Sequence, residues 1–282
     1  MYYYIIENNR RADFQKIETA VSEILTNFDI LGEYDYIDNL SDVEDKVKLA
    51  INKGFGTIVA IGGDNLAAKI AGCIINSKIA LGILPLEDGI LSQTLGLGKW
   101  KNACEILAAR RVVLMDSCSI NNKYFITEVF ANQSPDIPPQ VKSKSIFSKL
   151  LSSKPTITAE DKNNITVNVA DQYQITADVS GLVISNIRPF GKDVESVRQS
   201  IIDNNLHLAF SDQVGSGDVY QLLNNNIKDI TTNNISLIHA EKIEIRTEKP
   251  MFFWAQNEVI ARTPAEIVVR PSSLKIIGGR LH

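Results

Sequence analysis

From Tyr2 to Ala109 the chain alternates short apolar runs with longer amphipathic ones, and beyond residue 112 the alternation stops. That change of texture limits the architecture more than any other feature. Residues 2–6, 34–37, 57–61 and 79–84 are apolar runs of strand length. Between the first two, Phe14, Ile17, Val21, Ile24, Leu25 and Phe28 recur at three- and four-residue steps, the spacing of one helical face. Val43, Val47, Leu49, Ala50 and Ile51 predict a second helix, with Ser41 and Glu44 as its capping box. Residues 66–75 and 100–109 predict two more. Strands alternating with helices imply a parallel sheet with right-handed crossovers, hence an α/β domain.

Past residue 112 the runs at 112–115, 124–129, 165–170, 172–177, 182–186, 206–211, 235–239 and 243–247 are strand-like, with Asn, Asp and Gly between them. Only 217–223 reads as helix, so the second domain is expected to be a β-sandwich. Pro271 and Ile276-Ile277 close the chain with one more strand.

Charge and composition remove several function classes. The net charge of -4 supplies no basic field, so nucleic acid is not an expected partner. Cys73, Cys104 and Cys118 lie in apolar surroundings without metal-ligand spacing and read as thiols of a reducing compartment. His207, His239 and His282 are scattered, which argues against a zinc enzyme. The start has neither a basic leader nor a long apolar core, and no run approaches the roughly 20 apolar residues of a membrane span. The expected location is the cytoplasm. The segment 141–154 carries Lys142, Lys144, Lys149 and Lys154 with no acid, and Ile146, Phe147, Leu150 and Leu151 on one helical face. Two readings stand: a peripheral contact with anionic lipid, or a surface helix packed on the β-domain.

The stretch VAIGGDNLAAKIAGCI, 59–74, carries the first chemical signal. An apolar strand enters Gly62-Gly63, Asp64 follows, and a helix leaves. Glycines let backbone N–H groups approach phosphate oxygens, and the helix N-terminus adds positive dipole. A tight turn with no ligand has the same appearance. A second strand–loop–helix unit, LGILPLEDGILSQTLGL, follows at 81–97.

Together these stretches resemble the diacylglycerol-kinase-like family, relatives of sphingosine kinases and bacterial lipid kinases and, more distantly, of NAD kinases. Its first motif reads roughly GGDGTxNE and its second PLGTxNDFA. Met115-Asp116 before Tyr124-Phe125 is similar to the family's hinge into the β-domain. SGLVISNIRPFG at 180–191, IIDNNLHLAF at 201–210 and VGSGDVYQLL at 214–223 match further segments in order. The ending KIEIRTEKPMFFWAQNEVIARTPAEIVVRPSSLKII matches without a gap from Glu258 to Pro271. The resemblance covers nearly the whole chain. It implies a three-layer α/β nucleotide-binding domain over 1–116, a β-sandwich over 117–267, and a C-terminal strand in 268–282 returning to the first domain. It further implies ATP and Mg2+ as cofactors, a lipid hydroxyl as acceptor, nucleotide and lipid as partners, and a homodimer.

Position by position, the implied machinery is altered. Gly62, Gly63 and Asp64 match, but the residues after them become Asn65, Leu66, Ala68 and Lys69. Pro85 and Leu86 match, but the Gly-Thr pair becomes Glu87-Asp88. The opening NPxSG motif is absent, with Glu7-Asn8-Asn9 near its place. The late DGE motif becomes Gln256-Asn257-Glu258, so Gln256 stands where the resemblance implies the catalytic Asp. An amide cannot take up a proton near neutral pH, which leaves Glu258 as the substitute base. If Glu87 and Asp88 face the phosphates, each opposes them by about 4 kcal/mol at roughly 4 Å and an effective dielectric near 20. Mg2+ held by Asp64, Glu87 and Asp88 would reverse that sign, and solvent-facing carboxylates would leave it out. The favoured expectation is a lipid-kinase-fold protein impaired in phosphoryl transfer, serving as a binding or regulatory module. A divergent active lipid kinase, an NAD-kinase-like enzyme and a structural protein without ligand are the alternatives.

Overall fold

A computed structural model describes residues 2–8, 14–139, 162–170, 172–188, 199–225 and 234–279. The segment 141–154, Asn9 and residues 189–191 lie outside the described residues. In chain order the first elements are β1 (Tyr2–Glu7), α1 (Phe14–Asn27), β2 (Gly32–Ile37), α2 (Val43–Asn52), β3 (Thr57–Gly62) and α3 (Asp64–Ile74). Then come β4 (Ala80–Pro85), α4 (Ile90–Thr94), α5 (Trp100–Ala109), β5 (Val112–Ile120), β6 (Lys123–Phe125), β7 (Glu128–Asn132), β8 (Asn163–Val169), β9 (Tyr173–Val179) and β10 (Gly181–Ser185). The rest are β11 (Leu206–Ser211), α6 (Ser216–Asn225), β12 (Ser236–Ala240), β13 (Lys242–Thr247), β14 (Phe252–Ala255), β15 (Glu258–Arg262) and β16 (Ala265–Ile277). Among the described residues no helix is long and apolar enough to cross a membrane.

The chain divides into two compact units, residues 1–117 with 271–282, and residues 118–270. In the first unit the strand order is β2-β1-β3-β4-β16. These strands pair in parallel, β16 joining through Lys275 and Ile276. β3 and β4 are buried along their whole length, which is why they read as continuous apolar runs. From β1 the chain goes outward to β2, then returns past β1 to β3. Between the C-terminal ends of β1 and β3 the winding therefore reverses, the place where open α/β sheets bind ligands.

The second unit holds two antiparallel layers. One runs β12-β11-β10-β7-β14-β15. In the other, β9 pairs with β8, β8 with β13, and β13 with the Ala265–Val268 part of β16. Val129, Leu182, Ile184 and Leu208 of the first layer share one core with Ile165, Val167, Ile243 and Ile267 of the second. That is a sandwich. α6 covers the outer face of the first layer, packing Val219 and Leu223 on Val183 and Ala209.

Several local expectations fail. Ser41 and Glu44 do not form a capping box. A 3-10 turn, residues 40–42, runs straight into α2 through Asp42, which is already right-handed (φ -79°, ψ -16°) and makes no side-chain cap. Ser41 instead donates to Asp42 Oδ1 (3.3 Å), and Glu44 pairs with Lys48 one turn on (3.5 Å). The run at 124–129 is two strands, β6 and β7, rather than one. β14 and β15 were not expected as a hairpin.

Candidate functional site

The glycine turn sits at the reversal point. β1 and β3 pair in register Ile6 to Ile61, so Glu7 at the end of one strand lies beside Gly62 at the end of the other. Gly63 is the extended N-cap of α3 (φ -88°, ψ 175°). Its backbone N–H, the donor such a turn would offer a phosphate, donates instead to Glu7 Oε2 at 3.3 Å. The glycines are shaped to this chain's own carboxylates. A Cβ on Gly62 would lie 2.8 Å from Glu7 Oε2 and 3.0 Å from Leu66 Cδ2. One on Gly63 would collide with Glu87 Oε1, and one on Gly89 with the Asp64 carboxyl.

Asp64, expected to order a ribose or reach a metal, is used locally. Its Oδ2 accepts the Leu91 N–H at 3.0 Å, with the Ile90 and Ser92 N–H groups also directed at the carboxylate. A residue in the first turn of α3 thus caps α4. Burial pushes the Asp64 carboxyl above its ordinary range; the three N–H groups act against that, and the nearby Glu87 charge adds to it. Gly89 N–H donates to Ser92 Oγ (3.1 Å), closing the same turn. The two loops are joined directly, since Leu86 N–H donates to the Gly62 carbonyl at 3.1 Å.

The structure therefore brings Gly62, Gly63, Asp64, Pro85 and Leu86 together, with the exposed Glu87 against Gly63 and Asn65 and Asp88 exposed at the edge. Leu66 is wholly buried and belongs to the core of the first unit. Asp64, Glu87 and Asp88 do not form a cation cage: among the described residues no group of three acidic, histidine or cysteine side chains is arranged to hold a metal ion. The Gly63 N–H, a donor that such a turn would offer a phosphate, already holds the Glu7 carboxylate.

Gln256, Asn257 and Glu258 lie in the second unit. Ala255 pairs with Glu258, so Gln256-Asn257 is the two-residue loop of the β14–β15 hairpin. Both residues have positive φ, 46° and 63°, the requirement of a type I′ turn. Gln256 is half-buried; Asn257 and Glu258 are exposed. The amide of Gln256 offers hydrogen bonds and no proton uptake.

Asp116 tethers the returning strand. It accepts the Ser272 N–H at 2.8 Å, while Ser117 Oγ and Ser273 Oγ share a hydrogen bond of 2.7 Å. Two relationships were not found in the sequence. Glu7 stands in the sequence only near the place of an absent motif, and its contact with Gly63 depends on which strand lies beside β3. His207 and His239 are not scattered: they face each other across β11 and β12, with Nδ1 atoms 2.6 Å apart. Burial first, then the charges of His239 and Arg188, bring the His207 pKa down to about 3.

No family model matches the chain. An uncharacterized protein of Synechocystis is 21% identical over 277 residues, covering 87% of this chain; the chain spans 61% of the length of that curated relative. Among solved structures, a diacylglycerol kinase from Bacillus anthracis is similar at a TM-score of 0.70 and 14% identity, covering 99% of this chain and 97% of that one. An NAD kinase from Archaeoglobus fulgidus in complex with ATP reaches 0.54 at 11% identity, covering 100% and 94%. Yeast NADH kinase complexed with NADH also reaches 0.54, at 9% identity over 99% and 84%. The shared property is the fold: this chain has the architecture of diacylglycerol kinases and NAD kinases.

Proposed function

We propose that this chain is a diacylglycerol-kinase-fold protein that does not transfer phosphate and acts as a binding or regulatory module. One observation carries the reading. At the hairpin position where the resemblance implies a general base, the residue is Gln256, held at φ 46° in a two-residue turn. A general base takes up the proton of the attacking hydroxyl in phosphoryl transfer, and an amide cannot take it up. The buried Leu66, in place of a hydroxyl, supports the same reading.

Transfer of radiolabel from Mg-ATP to diacylglycerol or a total lipid extract tests it. The wild type is expected to give no labelled lipid. Labelled lipid from the wild type, lost in Glu258→Ala, would establish the second reading, an active kinase using Glu258. That reading draws on the exposed carboxylate of Glu258 next to the turn. Contact of 141–154 with anionic lipid, a homodimer and a cytoplasmic location belong to the same proposal. Co-sedimentation with anionic vesicles and sedimentation velocity test the first two.

A further inference from the structure

We propose that the Glu7 carboxylate is an internal occupant of the glycine turn, a built-in anion that keeps polyphosphate out. This rests on the reading that Gly62-Gly63 is the fold's nucleotide turn, and it assigns to that turn the group that closes it. The turn lies where the sheet's winding reverses, and the N-terminus of α3 opens there. Such a place attracts an anion through backbone N–H groups and the helix dipole. Here the anion comes from the chain. Glu7 Oε2 takes the Gly63 N–H at 3.3 Å. Glu87, on a different loop, lies so close to Gly63 that a Cβ there would strike its Oε1. An incoming phosphate would have to displace the first carboxylate and stand against the second.

The glycines support this independently. A glycine leaves space where a Cβ atom would be. At Gly62, Gly63 and Gly89 that space is taken by Glu7, Glu87 and Asp64, one carboxylate each. Each of these glycines thus has an acidic side chain of the same chain in the space a Cβ would take. The α4 N-terminus is satisfied in the same way by Asp64.

The experiment titrates the full chain with inorganic tripolyphosphate and with Mg-ATP at fixed ionic strength, by calorimetry and by amide chemical shifts of residues 62–65. Wild type, Glu7→Ala, Glu7→Gln and Glu7→Ala with Glu87→Ala are compared. The expected result is at least about a tenfold gain in affinity for Glu7→Ala, the size of a lost charge-assisted contact. The gain should be larger in the double variant, with shift changes centred on Gly63. Glu7→Gln keeps the volume and the acceptor and loses the charge, so it tests the electrostatic part if Glu7→Ala does not fold; a smaller gain is expected. No gain in the folded variants overturns the inference, as does a wild type that binds tripolyphosphate as tightly as they do. Labelled lipid from the wild type would overturn the functional proposal and this inference together, whereas no gain in the folded variants without labelled lipid overturns this inference alone, so the two failures are distinguishable.

Discussion

The Asp64 carboxylate accepts the backbone N–H of Leu91 at 3.0 Å, joining the first turn of α3 to the start of α4. An acid that would be read as a ligand for ribose or metal is a helix cap in this chain. Asp64→Ala is expected to cost about 0.5–2 kcal/mol of stability in urea unfolding, the usual range for a lost N-terminal cap. Asp64→Asn should cost less. Its amide oxygen still accepts the N–H, and it removes a charge that burial and the neighbouring Glu87 both disfavour.

The buried histidine pair makes stability depend on pH. The folded His207 pKa is lowered from 6.5 to about 3, so the unfolded chain binds its proton first as the solution is acidified. The contribution is fully present above pH 6.5 and is lost as pH falls from there toward about 3. Its size is a few kcal/mol at most, since each pKa unit is worth about 1.4 kcal/mol. Melting temperatures between pH 7 and roughly pH 4 should fall less steeply in His207→Gln than in the wild type. Parallel profiles would show that the pair does not set the acid response.

Leu66 explains why the turn cannot be restored one residue at a time. It is wholly buried, with Cδ2 packed beneath Gly62. Leu66→Thr, which brings back a hydroxyl, should destabilise by about 2–4 kcal/mol through the cavity it opens and the polar group it buries. Urea unfolding measures this. A neutral Leu66→Thr would mean that the hydroxyl finds a partner and that the loss of the motif residue has no packing cause.

How much of this was legible in the sequence follows from the range of each interaction. The α/β half was readable because β3 and β4, buried on both faces, leave unbroken apolar runs, while α2 and α5 leave a helical period. The glycine turn and the Pro85 loop were readable as adjoining motifs. The Glu7 contact was not, because it spans 56 residues and depends on which strand lies beside β3. The His207–His239 contact depends in the same way on the register of β11 with β12. The β14–β15 hairpin was missed because its strands have four and five residues and its loop, Gln256-Asn257, lacks the glycine that usually marks a type I′ turn. The failed capping box shows the limit of a local pattern: Ser41 and Glu44 have the right spacing, but the chain enters α2 through a 3-10 turn that leaves no extended N-cap residue.

The central claim is that the glycine turn at the β1–β3 reversal is already filled by the chain's own carboxylates and accepts no nucleotide. Thermal melting of the wild-type protein with and without millimolar Mg-ATP tests it most directly. A ligand at about 100 times its Kd would add roughly 2.7 kcal/mol to stability, a shift of several degrees. No shift is expected. A rise of several degrees with Mg-ATP would contradict it.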